Sequence, residues 1–561
     1  MTLWQRIQQF FLKPSKRPKQ AGASEPSRAP SISGDLRQTA SAISDLLGDN
    51  DDFVRRRFHL FGAYPANLFY FSSLVDADTI HREILKPLMA PLPRADSAPV
   101  RVSHLKEMLL RDQLYFSEGE WVTDFSTMIE ALMKGYSAIL VHGIDAALLL
   151  KTRNIDQRAI DQPKTEQVIR GPREAFNERL DTNLALLRYR LPTEKLKVKT
   201  MKIGRLTKTK VAVCYLEGVT NPSLVQEVMR RLSKIDIDGV LDSGYLEQFL
   251  SDNRWTPFPL LQSTERPDKI AAALLEGRVA IFSDGSPFAL IAPVLFSVFY
   301  QVVSDYIEKS VVSSFIRLSR FIALVFSLIF PSLYVSIISF NPELIPTEFA
   351  VAVAGGRAGV PFPAVIEVLV MEIAMEVLRE ATIRMPQQVG GALSIVGVLV
   401  VGEAAVEAGF ASPITVVVIA LTTIGSFATP AYDAALALRI LRFSLVILAG
   451  IFGLYGVMAG LILIANHMLS LKSFGVPYFS PVIPWSAKGA KDSLFRGQLW
   501  KLNKRPESYR TLNTTKVGKE TRNLVRQEPH NILDPVSYEG RRNNDGTSSP
   551  GDRHRGGDGD H

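Results

Sequence analysis

Residues 443–466 read FSLVILAGIFGLYGVMAGLILIAN, a stretch without a single charged side chain. A helix needs about 20 apolar residues to cross the hydrocarbon core of a bilayer, so this stretch predicts a membrane span. Four glycines recur every three or four residues within it, at Gly450, Gly453, Gly456 and Gly460. Such a stripe lets helix backbones approach closely, although membrane helices are also generally rich in glycine. The stretch therefore predicts a helical membrane domain with a candidate packing face.

The apolar character extends over residues 287–470. Three further segments are long and apolar enough to span a membrane, at 321–340, 390–410 and 411–429. Two other segments are ambiguous: 287–303 is short and interrupted by proline, and 361–383 is charged. Four spans or six keep both termini on one side of the membrane. We favour four, with six as the alternative.

Five charged residues interrupt the segment MEIAMEVLREATIR at 371–384, namely Glu372, Glu376, Glu380, Arg379 and Arg384. On a helix the glutamates fall on one arc, flanked by the arginines, and the Glu376/Arg379 and Glu380/Arg384 spacings allow ion pairs. Exposure of charge to lipid is costly, so three arrangements stay open. The segment is a surface helix in the headgroup region, a salt-bridge seam between helices of one bundle, or a helix that faces water inside an oligomer. In the last case a ring of acidic side chains would favour cations.

The remainder of the chain is water-compatible and predicts an α/β fold made of two subdomains. Strand-like stretches at 136–143 and 209–218 alternate with helical patterns at 228–235 and 245–250. A helical pattern is also expected across 41–110, and a strand near 114. Four regions follow: a disordered, basic, Pro/Ser-rich N-terminus (1–40), a cytoplasmic α/β region (41–286), a transmembrane helical domain (287–470) and a basic, mostly disordered cytoplasmic tail (471–561).

The charge pattern predicts which side of the membrane the termini occupy. The chain has a net charge of +8, and basic residues dominate the first twenty positions and the part after 470. Basic flanks mark the cytoplasmic side of membrane spans, so both termini are expected there. A basic tail also suits anionic lipid or a freely solvated segment. Cys214 is the only cysteine, which fits a reducing compartment and predicts a buried structural thiol.

Motifs that carry chemistry are missing from the sequence. It contains no GxxxxGK[ST], HExxH or GxSxG pattern, and its 8 histidines lack the spacing of metal ligands. The segment DIDGVLDSG at 236–244 has its glycine at the fourth position instead of the sixth that a calcium loop requires, so it predicts a polar turn. We therefore expect a protein that is not an enzyme and has no cofactor, no metal site and no nucleic-acid partner.

Several separate blocks resemble the A subunits of bacterial spore germinant receptors, the GerA family. The resemblance spans about 42–485 and is carried by the following sequences: VIRGPREAFNERLDTNLALLRYRL (168–191), STERPDKIAAALLEGRVAIFSDGSPFALIAP (263–293), PSLYVSI (331–337), IPTEF (345–349), GVPFPAVIEVLVMEIAMEVLREATIRMP (359–386), SIVGVLVVGEAAVEAGFASP (394–413) and SFGVPYFSPVIPW (473–485).

This resemblance implies a multi-pass subunit of a receptor in the inner membrane of a dormant spore. Its partners would be a transporter-like B subunit, which binds the nutrient germinant, and a lipoprotein C subunit. It also implies a homo-oligomeric ring, plausibly a pentamer, that conducts monovalent cations once the B subunit binds nutrient. The helix at 361–384 would then present its carboxylates to a shared axis. Two alternatives stay open: a GerA-like paralogue that acts with another spore membrane channel, and a non-conducting scaffold that transmits the signal mechanically.

Two polar turns are candidates for contacts between neighbouring subunits. One is Arg170, Gly171, Pro172 and Arg173, and the other is Glu265, Arg266, Pro267 and Asp268. The competing interpretation is that these residues cap helices and form salt bridges within one chain.

Overall fold

The structure is a computed structural model of the 561-residue chain. It describes residues 32–90, 102–109, 119–153, 162–168, 170–384, 402–486, 489, 492–518, 520–521 and 523. Within these residues, two α/β subdomains are followed by a helical region and then by a C-terminal segment that returns to the α/β part.

The first subdomain is built on a five-stranded antiparallel sheet with strand order β1-β2-β4-β5-β3. Its core is aliphatic and aromatic, because the inward faces of the strands and helices carry almost only apolar side chains. The strands are β1 (Phe53–Leu60), β2 (Tyr64–Phe71), β3 (Gly119–Val122), β4 (Ser137–Val141) and β5 (Ala147–Leu150). The labelled helices are α1 (Leu36–Leu47), α2 (Val102–Met108) and α3 (Phe125–Met133). Between β2 and α2 lies one further continuous helix, which is α-helical over Ala77–Thr79, π-helical over Ile80–Leu85 and α-helical again over Lys86–Met89.

The second subdomain repeats this topology, with strand order β6-β7-β9-β10-β8. Each subdomain contains a hairpin, intervening helices, a short edge strand, one helix and a second hairpin. The strands are β6 (Leu196–Ile203), β7 (Thr209–Leu216), β8 (Gln262–Thr264), β9 (Val279–Ser283) and β10 (Ala289–Ala292), and the helices are α4 (Leu180–Arg190), α5 (Pro222–Ser233), α6 (Ser243–Leu250) and α7 (Pro267–Leu275). Cys214 lies on β7 in its core, where burial raises the pKa of the thiol.

A buried polar contact ties the two subdomains together. Arg188 of α4 donates to both carboxylate oxygens of Asp52, at 2.6 and 2.7 Å, and also reaches Asn50. The backbone N–H of Asp51 donates to the carbonyl of Val198 on β6 at 3.0 Å. A buried charge is tolerated when it is paired and hydrogen-bonded, and this pair connects groups 136 residues apart in sequence.

The helical region begins at Ser310, after a 3₁₀ turn at Phe296–Tyr300 and the short helix α8 (Ser304–Ile307). Its helices are α9 (Ser310–Phe340), α10 (Thr347–Arg357), α11 (Ala364–Arg384), α12 (Pro413–Phe427) and α13 (Tyr432–Ser470). By length and composition, α9 and α13 are the two helices in the described part of the chain that could cross a membrane. The α/β N-terminal part and the helical C-terminal part that the sequence predicts are therefore both present.

The long helix α13 is a hairpin of two helices. Gly453 has φ +61° and ψ −142°, which is not helical. A Cβ built on Gly460 would lie 2.5 Å from Leu445 Cδ2, yet fifteen residues of straight helix would separate these positions by about 22 Å. The chain therefore reverses at Gly453, and residues 443–466 are two antiparallel segments instead of the one span that the sequence predicts.

Both ends of this hairpin lie against the second subdomain. His467 Nε2 is 2.9 Å from Thr256 Oγ1, and Ala434 packs in one cluster with Phe258 and Phe296. Gly453 lies at the opposite end of the bundle beside Phe340, the last residue of α9. The helical region thus has one end at the α/β part, and its other end carries the turns near 341 and 453.

Several local predictions are confirmed and others are wrong. The strands at 136–143 and 209–218 and the helices at 228–235 and 245–250 are present. The helical interpretation fails over 53–71, which forms the β1–β2 hairpin, because Phe61 and Gly62 adopt positive φ and close a tight turn. The strand expected near 114 and most of the apolar segment 390–410 lie outside the described residues.

Three predicted boundaries also move. Residues 287–303, ambiguous as a membrane segment, contain strand β10, which pairs with β9 and β8 inside the second sheet. The first helix begins at Leu36 instead of after residue 40. The part after 470 is not mostly disordered up to residue 518: the N–H of Leu512 donates to the carbonyl of Val219, and Tyr509 is buried beside Arg278.

Candidate functional site

The charged segment 371–384 forms most of helix α11, and its inner face is a polar seam against α13. We use polar seam for Glu372, Glu376, Arg379, Arg439 and Arg442. Glu372 Oε2 lies 2.5 Å from Arg442 Nη2, and the two side chains are 2% and 3% exposed. Arg442 Nη1 also reaches the carbonyl of Ser327 on α9 at 3.5 Å. The deepest carboxylate of the segment is therefore paired with an arginine 70 residues further along the chain.

Glu376 continues the seam one turn further along α11. Its two carboxylate oxygens contact different arginines, Arg379 Nη1 at 2.6 Å and Arg439 Nη1 at 3.4 Å. Arg379 also lies over the ring of Phe427 and within 3.4 Å of Ser426 Oγ on α12. The polar seam thus joins α11, α12 and α13, and the expected Glu376/Arg379 pair is present as one part of a larger network.

Glu380 and Arg384 form the second expected pair, at 2.6 Å, and both side chains are largely exposed. They end an exposed face of α11 whose other members are apolar. An open groove of about 560 Å³ runs along this face, lined by Ile373, Glu376, Val377, Glu380, Ala381, Arg384 and Phe443. The three glutamates therefore occupy three environments, from fully enclosed at Glu372 to solvent-accessible at Glu380.

Sequence reasoning missed a further buried carboxylate on the same helix. Glu367 is fully buried and pairs with Arg357 of α10 at 2.9 Å. It also accepts hydrogen bonds from the Ser412 N–H at 3.0 Å and from Thr415 Oγ1 at 2.9 Å, at the start of α12. The Arg357–Glu367 separation of ten residues is no helical pairing distance, so only the turn between α10 and α11 brings the two together.

The four glycines of the stripe divide into two roles. Gly450 allows α11 to approach, because a Cβ there would lie 2.5 Å from Val365. Gly453 makes the reversal of α13, and Gly456 and Gly460 face Leu448 and Leu445 on the other half of the hairpin. Close packing at glycine is present, but three of the four glycines serve the hairpin within this one chain.

The two candidate subunit-contact turns contact each other in the monomer. Arg266 is 1% exposed and donates to the carbonyl of Pro172 at 3.0 Å and to Asp268 at 2.8 Å. Glu265 accepts from the N–H and hydroxyl of Thr165, each at 2.7 Å. Pro267 starts α7 and is buried. The residues around Pro172 are less enclosed: Gly171 has φ +141°, Arg170 lies 3.7 Å from Glu308, and Arg173 is exposed. A subunit contact through Arg170 or Arg173 stays a prediction.

A polar and aromatic joint connects the helical region to the α/β part. Ser473 accepts from the N–H of Val294 at 3.0 Å and donates to the carbonyl of Leu260 at 2.7 Å. At the other edge of the joint, Arg317 of α9 pairs with Asp305 at 3.3 Å and with Asp492 at 3.2 Å. The contacts of Ser473 join the end of α13 to the second subdomain. Those of Arg317 join α9 to the short helix α8 before it and to the C-terminal segment.

A titratable group lies in this joint. Glu247 of α6 is half-buried, and desolvation together with the carboxylates of Asp433 and Asp242 raises its pKa to about 7. A carboxyl group in this condition changes its charge near neutral pH. We therefore expect the charge of Glu247, beside Asp433 at the start of α13, to change in the physiological range.

The fold and the polar seam define a two-part protein in which a duplicated α/β region is fastened to an apolar helical bundle with buried ion pairs. The chain belongs to the family described as Bacillus/Clostridium GerA spore germination protein, whose model matches residues 41–508. The resemblance seen in the sequence is thereby confirmed, and the family is one of spore germination proteins.

Individual relatives match over most of their length. Spore germination protein KA of Bacillus subtilis (strain 168) is 41% identical over 493 residues, 88% of this chain and 90% of the relative. The uncharacterized membrane protein YfkQ of the same organism is 38% identical, covering 89% and 96%. Spore germination protein GerLA of Bacillus cereus is 37% identical, covering 87% and 98%.

A solved structure is also similar. The crystal structure of the N-terminal domain of the A subunit of the Bacillus megaterium spore germinant receptor GerK3 is 34% identical. It covers 48% of this chain and 99% of that chain, with a TM-score of 0.37.

Proposed function

We propose that this protein is the membrane-spanning A-type subunit of a nutrient germinant receptor in the spore inner membrane. It acts with a transporter-like B subunit and a lipoprotein C subunit, and copies of it form a ring, plausibly a pentamer, that conducts monovalent cations when the partner binds nutrient. Membership of the GerA family and similarity to named spore germination proteins support the role in germination.

The observation that supports ring formation is the exposed face of α11. Its members are spaced three or four residues apart, which places them on one side of the helix. They are apolar for three turns and charged at the end: Ile366, Val370, Ile373, Val377, Glu380 and Arg384. The polar seam occupies an adjoining side of α11, and Glu376 lies at the border between the two. In a ring, this exposed face would be directed to the central axis, with Glu380 as the acidic position on the ion path.

A cysteine-accessibility experiment tests this arrangement. Cys214 is buried, so an introduced cysteine would be the accessible thiol. We would compare Val377→Cys on α11 with Val417→Cys on α12, since both valines are exposed in the monomer, at 64% and 56%. Ionic current through the purified receptor in a planar bilayer is recorded before and after a cationic methanethiosulfonate. We expect the reagent to alter the current of Val377→Cys and to leave that of Val417→Cys unchanged.

A non-conducting scaffold is the second candidate, and the polar seam favours it. Glu372 and Glu376 are engaged by Arg442, Arg379 and Arg439 within one chain, so the charge of each carboxylate is already balanced by an arginine. Absence of current under every condition, together with germination restored by the charge swap Glu372→Arg with Arg442→Glu, would support the scaffold and contradict conduction. A paralogue that works with another channel would lack neighbouring genes for B- and C-type subunits.

A further inference from the structure

A small polar cavity lies inside the helical bundle, next to the polar seam. Its volume is about 10 Å³, and it lies between α9, α12 and α13. Five polar residues line it together with two apolar ones: Ser327, Ser426, Thr429, Arg439 and Arg442. A volume of this size holds one water-sized particle. The cavity is therefore too small for phosphate, sulfate or a carboxylate, but suits a monatomic ion or one water.

Hydrogen-bond donors without partners are concentrated at this cavity. Arg439 and Arg442 are 5% and 2% exposed. The Nε and Nη2 groups of Arg439 and the Nε group of Arg442 have no hydrogen-bond partner among the described residues. A buried polar group without a partner is unfavourable, and more so when it is charged. The two buried guanidinium groups have N–H donors without partners, and a hydrogen-bond acceptor in the cavity would satisfy them.

The charges of the polar seam determine the sign of that acceptor. Three arginines, Arg379, Arg439 and Arg442, face two glutamates, Glu372 and Glu376. Because Glu376 is shared by two arginines, the seam carries a net charge of +1, and an uncompensated buried charge is strongly unfavourable. A cation is excluded by the same charge. A monovalent anion would neutralise the excess and accept from the free N–H groups.

We propose that the cavity between α9, α12 and α13 binds a single halide ion, with Arg439 and Arg442 as the main donors and the Thr429 hydroxyl as a further donor. The ion would fasten α13 to α9 and α12 at the depth where α11 joins them. This proposal does not depend on whether the bundle conducts ions, because it rests on a buried charge inside one chain.

The test uses the full-length protein in detergent and follows thermal unfolding. The midpoint Tm is measured in sodium chloride, in sodium bromide and in sodium gluconate at equal ionic strength, since gluconate is too large for the cavity. Binding to the native state raises stability with the logarithm of ligand concentration once the site is saturated. We expect Tm to rise with chloride and bromide concentration and to stay level in gluconate. Equal Tm values in all three salts would overturn the proposal.

Two matched variants connect the effect to the cavity. Thr429→Val removes a lining hydroxyl without changing charge, whereas Thr422→Val removes a buried hydroxyl whose hydrogen bond goes to the Val418 carbonyl. We expect that Thr429→Val needs a higher halide concentration than the wild type to reach half of its rise in Tm, and that Thr422→Val needs the same concentration as the wild type. A structure determined in bromide gives the direct answer: an anomalous peak beside Arg439 and Arg442 supports the proposal, and an ordered water at that position refutes it.

Discussion

Glu372 and Arg442 show how a carboxylate is accommodated among apolar helices. Both side chains are almost completely buried, and each is the closest ionic partner of the other. Removal of one member of a buried pair leaves an uncompensated charge, which costs about 3–5 kcal/mol. We expect Glu372→Ala to lower Tm strongly. The double variant Glu372→Leu with Arg442→Met should recover most of the loss, because it removes both charges and keeps the volume.

Glu380 and Arg384 provide the control for this prediction on the same helix. They form an ion pair of similar length but with side chains 59% and 78% exposed. Exposed pairs contribute only about 0–1 kcal/mol, so Glu380→Ala should change Tm very little. If the two glutamate variants destabilise equally, the contrast in burial along α11 is not what determines their contribution.

Glu247 gives the chain a predicted pH dependence. Its pKa in the folded protein is about 7, above its ordinary value, so the folded state holds a proton that the unfolded state releases. The sign follows from linkage: this group favours folding at low pH, and that contribution is lost as the pH rises towards and through 7. We expect the Tm of Glu247→Gln to exceed that of the wild type at both pH values, by more at pH 8 than at pH 6, and the two to converge only below the ordinary pKa of a glutamate.

The control for Glu247 is Glu227, a carboxylate with the opposite shift in the same subdomain. Hydrogen bonds from Arg230 and Arg231 lower its pKa to about 2, so it is ionised in both states between pH 6 and 8. Glu227→Gln should therefore change Tm by the same amount at both pH values. If the Tm of Glu247→Gln changes with pH as much as that of the wild type does, a group other than Glu247 causes the pH dependence.

Among the helices, α13 shows where sequence reasoning succeeds and where it stops. Its apolar composition predicts one long helix, whereas the structure has two antiparallel helices that meet at Gly453. The glycine spacing predicts close packing, and Gly450, Gly456 and Gly460 each lie against a neighbouring segment. The reversal could not be predicted, because glycine is tolerated within membrane helices and only the φ of Gly453 distinguishes a hairpin from a straight helix. Likewise, the pairing of Glu376 with Arg379 is local and could be predicted, whereas that of Glu372 with Arg442 depends on the tertiary approach of α11 and α13.

Three glycine-to-alanine variants separate the reversal from the packing. Gly453 has a backbone conformation that is nearly exclusive to glycine, so alanine there should cost about 1–3 kcal/mol. Gly450→Ala would force a Cβ against Val365 on α11, and overpacking costs about 1–3 kcal/mol. Gly355→Ala in α10 is the control, since a Cβ at that position meets nothing within 4 Å. In thermal unfolding, the Tm of Gly453→Ala and of Gly450→Ala should be lower than that of the wild type, and the Tm of Gly355→Ala should be equal to it or higher.

The duplicated topology of the α/β part was not visible in the sequence. Two subdomains were expected, but the strand orders β1-β2-β4-β5-β3 and β6-β7-β9-β10-β8 match without any repeat of motifs. Antiparallel pairing is set by which strands can share a hydrophobic face, and different side chains meet that requirement equally well. Contacts to the end of α13 come from Thr256, Val294 and Leu260, all in or next to the second subdomain.

The hairpin in α13 determines on which side of the membrane its ends lie, if the helical bundle spans the bilayer as proposed. Its first half, 432–452, is about 31 Å long and its second half, 454–470, about 26 Å, each close to the roughly 30 Å of a hydrocarbon core. Lys472 should then lie on the cytoplasmic side with the α/β part. Glu343, in the turn after α9, should lie on the opposite side.

Impermeant-maleimide labelling in right-side-out vesicles tests this topology on the full-length chain. Both Lys472 and Glu343 are exposed, so Lys472→Cys and Glu343→Cys present equally accessible thiols, and Glu217→Cys in the α/β part marks the cytoplasmic side. We expect Glu343→Cys to be labelled in intact vesicles, and Lys472→Cys and Glu217→Cys to be labelled only after detergent. If α13 were one straight span that starts on the cytoplasmic side, Lys472→Cys would be labelled from outside together with Glu343→Cys. That result would contradict the reversal at Gly453, and with it the position of His467 against Thr256.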